Sequence, residues 1–221
     1  MKQIFNILIL TLLVAFSSCT RTHFIDGPDP IAHHDKTMWE YFESQPYDWS
    51  MTMQLIDHAG LRDLFIGKSQ YGTDITFFGI TNFSIMRYLY DKEKRHYEDT
   101  GEKITLEVKD LPREDCKRWI LNCVYPKKRM LEEWPAGRPS SDPSKLIGTG
   151  GKVYQMASGL KLWIYTFKEP YDGVPEMGPL KINLVSLDET RQKRTRVASH
   201  NIDTNTGVVQ ALDYNFTLND F

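Results

Sequence analysis

The period of the hydrophobic pattern changes near residue 152. Upstream, apolar residues recur at helical spacing: Met53, Ile56 and Ala59 lie three apart, and Cys116, Trp119, Ile120 and Cys123 follow i, i+3, i+4, i+7. From Lys152 onward the pattern is one of short β-rich runs separated by turn residues: Val153 to Ala157, Leu160 to Phe167, Leu180 to Leu187, Arg196 to Ile202 and Val208 to Phe216. Ser158-Gly159 supplies a tight turn between the first two. A doubly wound parallel sheet needs strands and helices in alternation, whereas this chain runs through its helices before most of its strands. The expected class is α+β: a single domain, helices mainly in the N-terminal half, and a compact strand-rich C-terminal half. With 221 residues, 41% of them hydrophobic, the chain has material for one real core.

Local signals place the early elements. A helix begins at Thr37 to Phe42 and stops before Pro46; Ser50 is expected to cap a second helix that ends at Gly60. Leu61, Leu64 and Phe65 make a short turn closed by Gly67. Ile75 to Phe78 reads as a brief strand, and Asn82 or Ser84 is expected to cap the helix holding Ile85, Tyr88 and Leu89. The charged stretch 91–103 reads as a solvated helix end and loop, and Ile104, Leu106 and Val108 as a half-buried strand. Pro112, with Glu114 and Asp115 after it, marks a further helix start.

The first residues read as an export leader. Lys2 is the basic n-region, and Ile4 through Phe16 form an apolar run of 13 residues, short of the roughly 20 that a spanning helix needs. Ser17 and Ser18 then lead to Cys19 at the cleavage position, the arrangement of a bacterial lipoprotein whose cysteine thiol takes a diacylglycerol. The organisation expected is a lipoprotein signal peptide over 1–18, a tether over 19–36 with Gly27, Pro28 and Pro30, and a folded domain over 37–221. Cys19 is the expected lipidation site, and acyl chains there would hold the protein at the outer membrane or cell surface; a periplasmic or secreted protein is the alternative.

Composition excludes some chemistry. Lys+Arg total 27 against 29 Asp+Glu, a formal charge of −2, so nothing pulls the chain generally toward nucleic acid. The three cysteines have neither disulfide-scaffold nor zinc spacing, and His33-His34-Asp35 reads as solvated polar residues. Two helical turns put about 10.5 Å of rise between Cys116 and Cys123, beyond the roughly 7 Å between Cα atoms that a disulfide tolerates; both read as buried small hydrophobes. Gly148-Thr149-Gly150-Gly151 lacks the Lys-Ser/Thr of a phosphate loop and reads as a turn. Glu132-Glu133 beside Trp134 is the nearest approach to a glycosidase pair, yet adjacent residues point apart. No cofactor and no metal is called for, and the chain reads as a non-enzyme.

Three segments in order resemble the fasciclin domain, over Thr37 to the C-terminus. Thr76-Phe77-Phe78-Gly79-Ile80-Thr81-Asn82-Phe83-Ser84-Ile85 stands where that family has Thr-Val-Phe-Ala-Pro-Thr-Asn-x-Ala-Phe, with Thr81 and Asn82 matching. Asn122-Cys123-Val124-Tyr125-Pro126-Lys127 is similar to Tyr-His-Val-Val-Pro-Gly, keeping Val124 and Pro126 and lacking the Tyr-His pair linked with adhesion. Thr206-Gly207-Val208-Val209-Gln210-Ala211-Leu212-Asp213 is similar to Asn-Gly-Val-Ile-His-Val-Ile-Asp, with Gly207, Val208 and Asp213 in agreement. The resemblance implies a non-catalytic adhesion or binding domain for a glycan or an envelope protein. Long Pro/Gly segments at 132–145 and 168–179 offer Trp134 and Tyr171 as candidate ligand-contacting platforms. A structural accessory subunit of an outer-membrane nutrient-uptake assembly is the second reading, and a glycan hydrolase ranks last.

Overall fold

The computed structural model describes residues 33–142, 144–188 and 193–221. Cys19, the leader and residues 20–32 of the expected tether lie outside the described residues, as does part of the basic run at Arg191.

The helices come first. Thr37 opens α1 (Met38–Ser44) with a reciprocal capping box: its hydroxyl accepts from the Glu40 N–H, and the Glu40 carboxylate accepts from the Thr37 N–H at 2.7 Å. α2 (Pro46–Ala59) follows at once and ends at a left-handed Gly60. A single turn, α3 (Arg62–Phe65), leads to β2 (Ile75–Gly79), α4 (Asn82–Thr100) and α5 (Arg113–Asn122). Trp49 of α2 stacks on Phe42 of α1 at 4.8 Å, and Phe65 meets Phe77 of β2 edge-on at 4.9 Å. These rings begin the core.

Among the described residues one mixed sheet of eight strands carries the rest. Its order is β3 (Val124–Tyr125), β2, β10 (Gly207–Leu212), β9 (Arg194–Thr204), β8 (Leu180–Ser186), β7 (Lys161–Lys168), β6 (Lys152–Gln155). β10 runs parallel to β2, and the remaining ladders on this path are antiparallel. β1 (His33–His34), within the segment read as a tether, pairs parallel to the end of β9, so the sheet recruits chain upstream of Thr37. β9 joins the two halves. Its residues 194–196 pair with β8, and the remainder pairs with β10 past a register shift. Every residue of β2 and β10 is buried, as expected where both faces are covered. Phe77 faces the Phe42 and Phe65 rings, while Phe78 meets Trp134 at 5.6 Å. A small ladder, β4 (Gly137–Arg138) with β5 (Thr149–Gly150), lies against β7, so the glycine-rich patch is a strand pair rather than a simple turn. Val208 and Leu212 are buried. No described helix is long and apolar enough to cross a membrane.

Five local expectations need correction. Ser50 does not start α2; Pro46 does, at the first helical position, where its missing N–H costs nothing. Ile104 to Val108 is not a strand. The Leu106 N–H goes instead to the Glu93 carboxylate at 2.7 Å, and Val108–Asp110 turns as a short 3-10 helix. The charged stretch after Asp91 stays helical as far as Thr100 and stops at left-handed Gly101. β10 ends at Leu212, where Asp213 folds the chain into a turn through bonds from Asn215 and Phe216.

The fifth correction concerns Asn82, which does not cap its own helix. Thr81 occupies the cap position, and the Asn82 carboxamide enters the first turns of α2. Its Oδ1 accepts from the Met51 N–H at 2.7 Å, and its Nδ2 donates to the carbonyls of Tyr47 (2.7 Å) and Pro46 (3.1 Å) and to Ser50 Oγ (3.0 Å). The side chain thereby ties α4 to α2. Asn82→Ala should cost about 2–3 kcal/mol, since it orphans several polar groups at a buried site. Asn82→Asp should cost at least as much, because a carboxylate would face two carbonyls. A helix cap would tolerate Asp as well as Asn, so urea melts showing the Asp variant at wild-type stability would restore the cap assignment.

Candidate functional site

The connection between β7 and β8 is an exposed loop built to hold one shape. Tyr171 and Val174 exchange backbone hydrogen bonds of 3.0 and 2.9 Å around Asp172 and Gly173. Both central residues have positive φ, 49° and 75°, the geometry for which an Asp-Gly pair is suited. At the base, the Gly178 N–H donates to the Glu169 carbonyl at 2.8 Å, and Glu176 forms an ion pair with Arg138 of β4. Pro170, Pro175 and Pro179 remove further freedom. The tip presents Tyr171 (69% exposed), Val174 (51%) and Met177 (68%) to solvent.

Beneath the loop, between the β4–β5 ladder and β7, lies an open cleft of about 410 Å³ lined by Arg138, Thr149, Thr166, Phe167, Lys168 and Glu176. Trp163 of β7 donates its indole N–H to the Gly150 carbonyl at 3.0 Å and stacks on Tyr165 at 4.2 Å, which fixes the ladder over the sheet. The arrangement offers an aromatic face beside cationic, anionic and hydroxyl groups. It presents no nucleophile–base pair.

Asp213 reaches this region through an arginine. Arg196 Nε donates to the Asp213 carboxylate at 2.9 Å, and Arg196 Nη1 lies 3.4 Å from Glu169 at the loop's base. Burial alone would raise the Asp213 carboxyl, but the Asn215 N–H and the Arg196 guanidinium outweigh it and hold it below its ordinary value. Thr81 and Asn82 sit at the β2–α4 corner, and Gly207 opens β10. Because β10 lies parallel to β2, the structure places these two sequence motifs side by side, with Ala211 opposite Gly79. Both are positioned as framework.

Trp134 is not a platform. It is 3% exposed, and its ring meets Phe78, Tyr125 and Tyr154 at 5.6, 5.5 and 5.0 Å. The Arg129 guanidinium fills the space beside them, 5.4–6.0 Å from the Tyr154, Trp134 and Tyr125 ring centres. The segment leading to Trp134 is held down at two points. The Arg129 N–H donates to Thr76 Oγ1 at 2.9 Å, and the Leu131 N–H donates to Asn201 Oδ1 at 2.6 Å. Tyr125, Trp134 and Tyr154 are too far apart in sequence for any local pattern to show this box.

The remaining candidates for chemistry are also committed elsewhere. Glu132 accepts from the Asn201 amide at 3.2 Å and Glu133 from the Met130 N–H at 2.6 Å, so the two carboxylates serve separate partners. Cys116 and Cys123 are free and buried; burial pushes the Cys116 thiol up to about 11 and the Cys123 thiol higher still. His200 is pushed down to about 4 by burial and then by Lys181, and its Nε2 faces the Ile182 N–H at 3.3 Å. His33 lies 3.1 Å from Asp203 and His34 packs on Tyr41. Among the described residues no three metal-ligating side chains converge.

No protein-family model and no curated protein matches this chain. Among solved structures it is similar to a FAS1 domain pair from the insect cell adhesion molecule fasciclin I, at 11% identity and a TM-score of 0.45. The match covers 79% of this chain and 46% of the other, so the chain spans about half the length of that domain pair.

Proposed function

We propose that this chain is a non-catalytic binding protein with a fasciclin-like domain, carried on the cell envelope by a lipid on Cys19, and that the β7–β8 loop contacts its glycan or protein ligand. The observation behind the contact is the pinned loop itself. Three exposed apolar side chains on a hydrogen-bonded loop, beside an open cleft, form a surface whose ordering entropy is already spent before a ligand arrives. Tyr171 supplies a flat face of the kind that packs on a sugar ring, while Arg138, Lys168 and Glu176 supply hydrogen-bonding groups in the cleft. The outer membrane or cell surface is the proposed location.

Glycan arrays and pull-downs from envelope extracts test this reading. Tyr171→Ala should weaken binding about tenfold or more, as expected for an exposed aromatic anchor, and should leave the thermal melt nearly unchanged because the side chain is largely exposed. Equal binding by variant and wild type, or no ligand across broad arrays and extracts, would set the loop aside.

A further inference from the structure

Apart from Val153 of β6, the exposed large apolar side chains outside the loop are gathered rather than scattered among the described residues. α4 turns Ile85, Tyr88 and Leu89 into the core. On its other side Phe83, Met86, Tyr90 and Tyr97 are 44%, 52%, 63% and 50% exposed. Their spacings of three, four and seven put them on one face. The same arc carries Arg87 and Lys94, with Asp91 and Glu98 at its border, where Glu98 lies 3.8 Å from Lys94. Two neighbours widen the patch. Tyr47 of α2 meets Phe83 edge-on at 5.9 Å, and Tyr214, just past β10, lies beneath the Arg87 guanidinium at 5.7 Å. An apolar patch of this extent on a folded domain marks a contact surface.

We propose that this face docks on a phospholipid bilayer, with α4 lying in the headgroup region. The residue chemistry is that of an interfacial helix. Tyrosines combine an apolar ring with a polar tip suited to the headgroup level; Phe83 and Met86 have only apolar surface to insert; Arg87 and Lys94 flank them to meet phosphates. The proposal rests on the lipid-anchored reading above. Cys19 and His33 are fourteen residues apart, a reach of at most about 50 Å. β1 joins the sheet at the Ile75 end of β2, and α4 leaves from the Gly79 end, so that reach exceeds the length of β2 several-fold. An anchor of that length holds the face at a high effective concentration over the bilayer, where a weak intrinsic partition suffices.

The test uses the lipid-free chain beginning at Thr20, since Ala32–Phe221 forms a compact unit by itself. It is mixed with vesicles of phosphatidylcholine containing a minority of phosphatidylglycerol and sedimented. Wild type should co-sediment, and Phe83→Ser, Met86→Ser and Tyr90→Ser combined should lower the partition about tenfold without moving the thermal melt. Arg87→Glu with Lys94→Glu should weaken binding in the same direction and keeps the apolar residues intact. Equal partition by wild type and both variants, or none by wild type at high lipid, overturns the proposal. So does a concentration-dependent dimer that the serine variant abolishes while vesicles stay unbound, which would assign the face to a second copy of this chain. Palmitate labelling of the full-length chain reads the anchor separately: labelling without vesicle partition overturns the face alone, and partition without labelling removes the anchor and leaves the face.

Discussion

Gly207→Ala is expected to abolish or nearly abolish folding. Gly207 has φ 135°, in a region that residues with a Cβ rarely adopt. A methyl group there would run into the carbonyl oxygen of Ile75 and come within 2.9 Å of the Ile75 side chain. Neither neighbour has room to move. Ile75 is fully buried at the start of β2, and Gly207 is its register partner in the parallel ladder on which the two central strands depend. The Gly207 carbonyl also accepts from Thr204 Oγ1 at 2.7 Å, which closes the β9–β10 turn. Backbone strain of about 1–3 kcal/mol adds to the cost of separating β2 from β10. The sum reaches a large part of the 5–15 kcal/mol that a domain has in total. Circular dichroism and urea unfolding would check it. A folded variant within about 1 kcal/mol of wild type would show that the β9–β10 connection is not the one described.

The strand-rich half was legible because its signals are local. Alternation and turn residues between Lys152 and Leu212 place each strand within a few residues of where the structure has it, and Ser158-Gly159 turns as its composition requires. The same local logic fails where a partner is distant. The alternation of Ile104, Leu106 and Val108 has the pattern of a strand, but a strand also needs an edge, and the Glu93 side chain takes the Leu106 N–H instead. Asn82 has the composition of a cap, yet its carboxamide is drawn to α2 because the chain from Pro46 to Met51 packs against it. α4 runs further than its apolar pattern suggests, because its second half is charged. Charged residues with long side chains are good helix formers, and Lys94 and Glu98 pair across one turn. At the candidate site Tyr171 is exposed on its Pro/Gly-rich loop, as a ligand-contacting platform requires. The pin from Glu176 to Arg138 crosses from β4 to the loop and leaves no sequence trace. Trp134 shows the opposite failure: an aromatic in a loop reads as a platform until the fold brings Phe78, Tyr125, Tyr154 and Arg129 around it.

Cys19→Ser should release the protein from the membrane. If Cys19 carries the lipid, its thiol is the group that becomes a thioether, and serine offers no sulfur to alkylate. Each buried CH₂ of an acyl chain contributes about 0.8 kcal/mol. Two or three chains therefore anchor a protein against high salt and carbonate, while detergent, which supplies another apolar phase, extracts it. The wild-type protein should resist a carbonate wash and incorporate labelled palmitate; the variant should do neither, remaining unprocessed or moving to the soluble fraction. The folded body should be indifferent. Its first described strand is His33–His34, paired to β9 well downstream of position 19, so the melting temperature should not change. That separation makes the comparison clean, because a loss of membrane attachment with an unchanged melt cannot be ascribed to misfolding. It also separates the anchor from α4, whose exposed face is untouched by the substitution and would then have to hold the protein at the bilayer alone. Equal palmitate labelling of variant and wild type, or equal retention after the carbonate wash, would remove the lipoprotein reading.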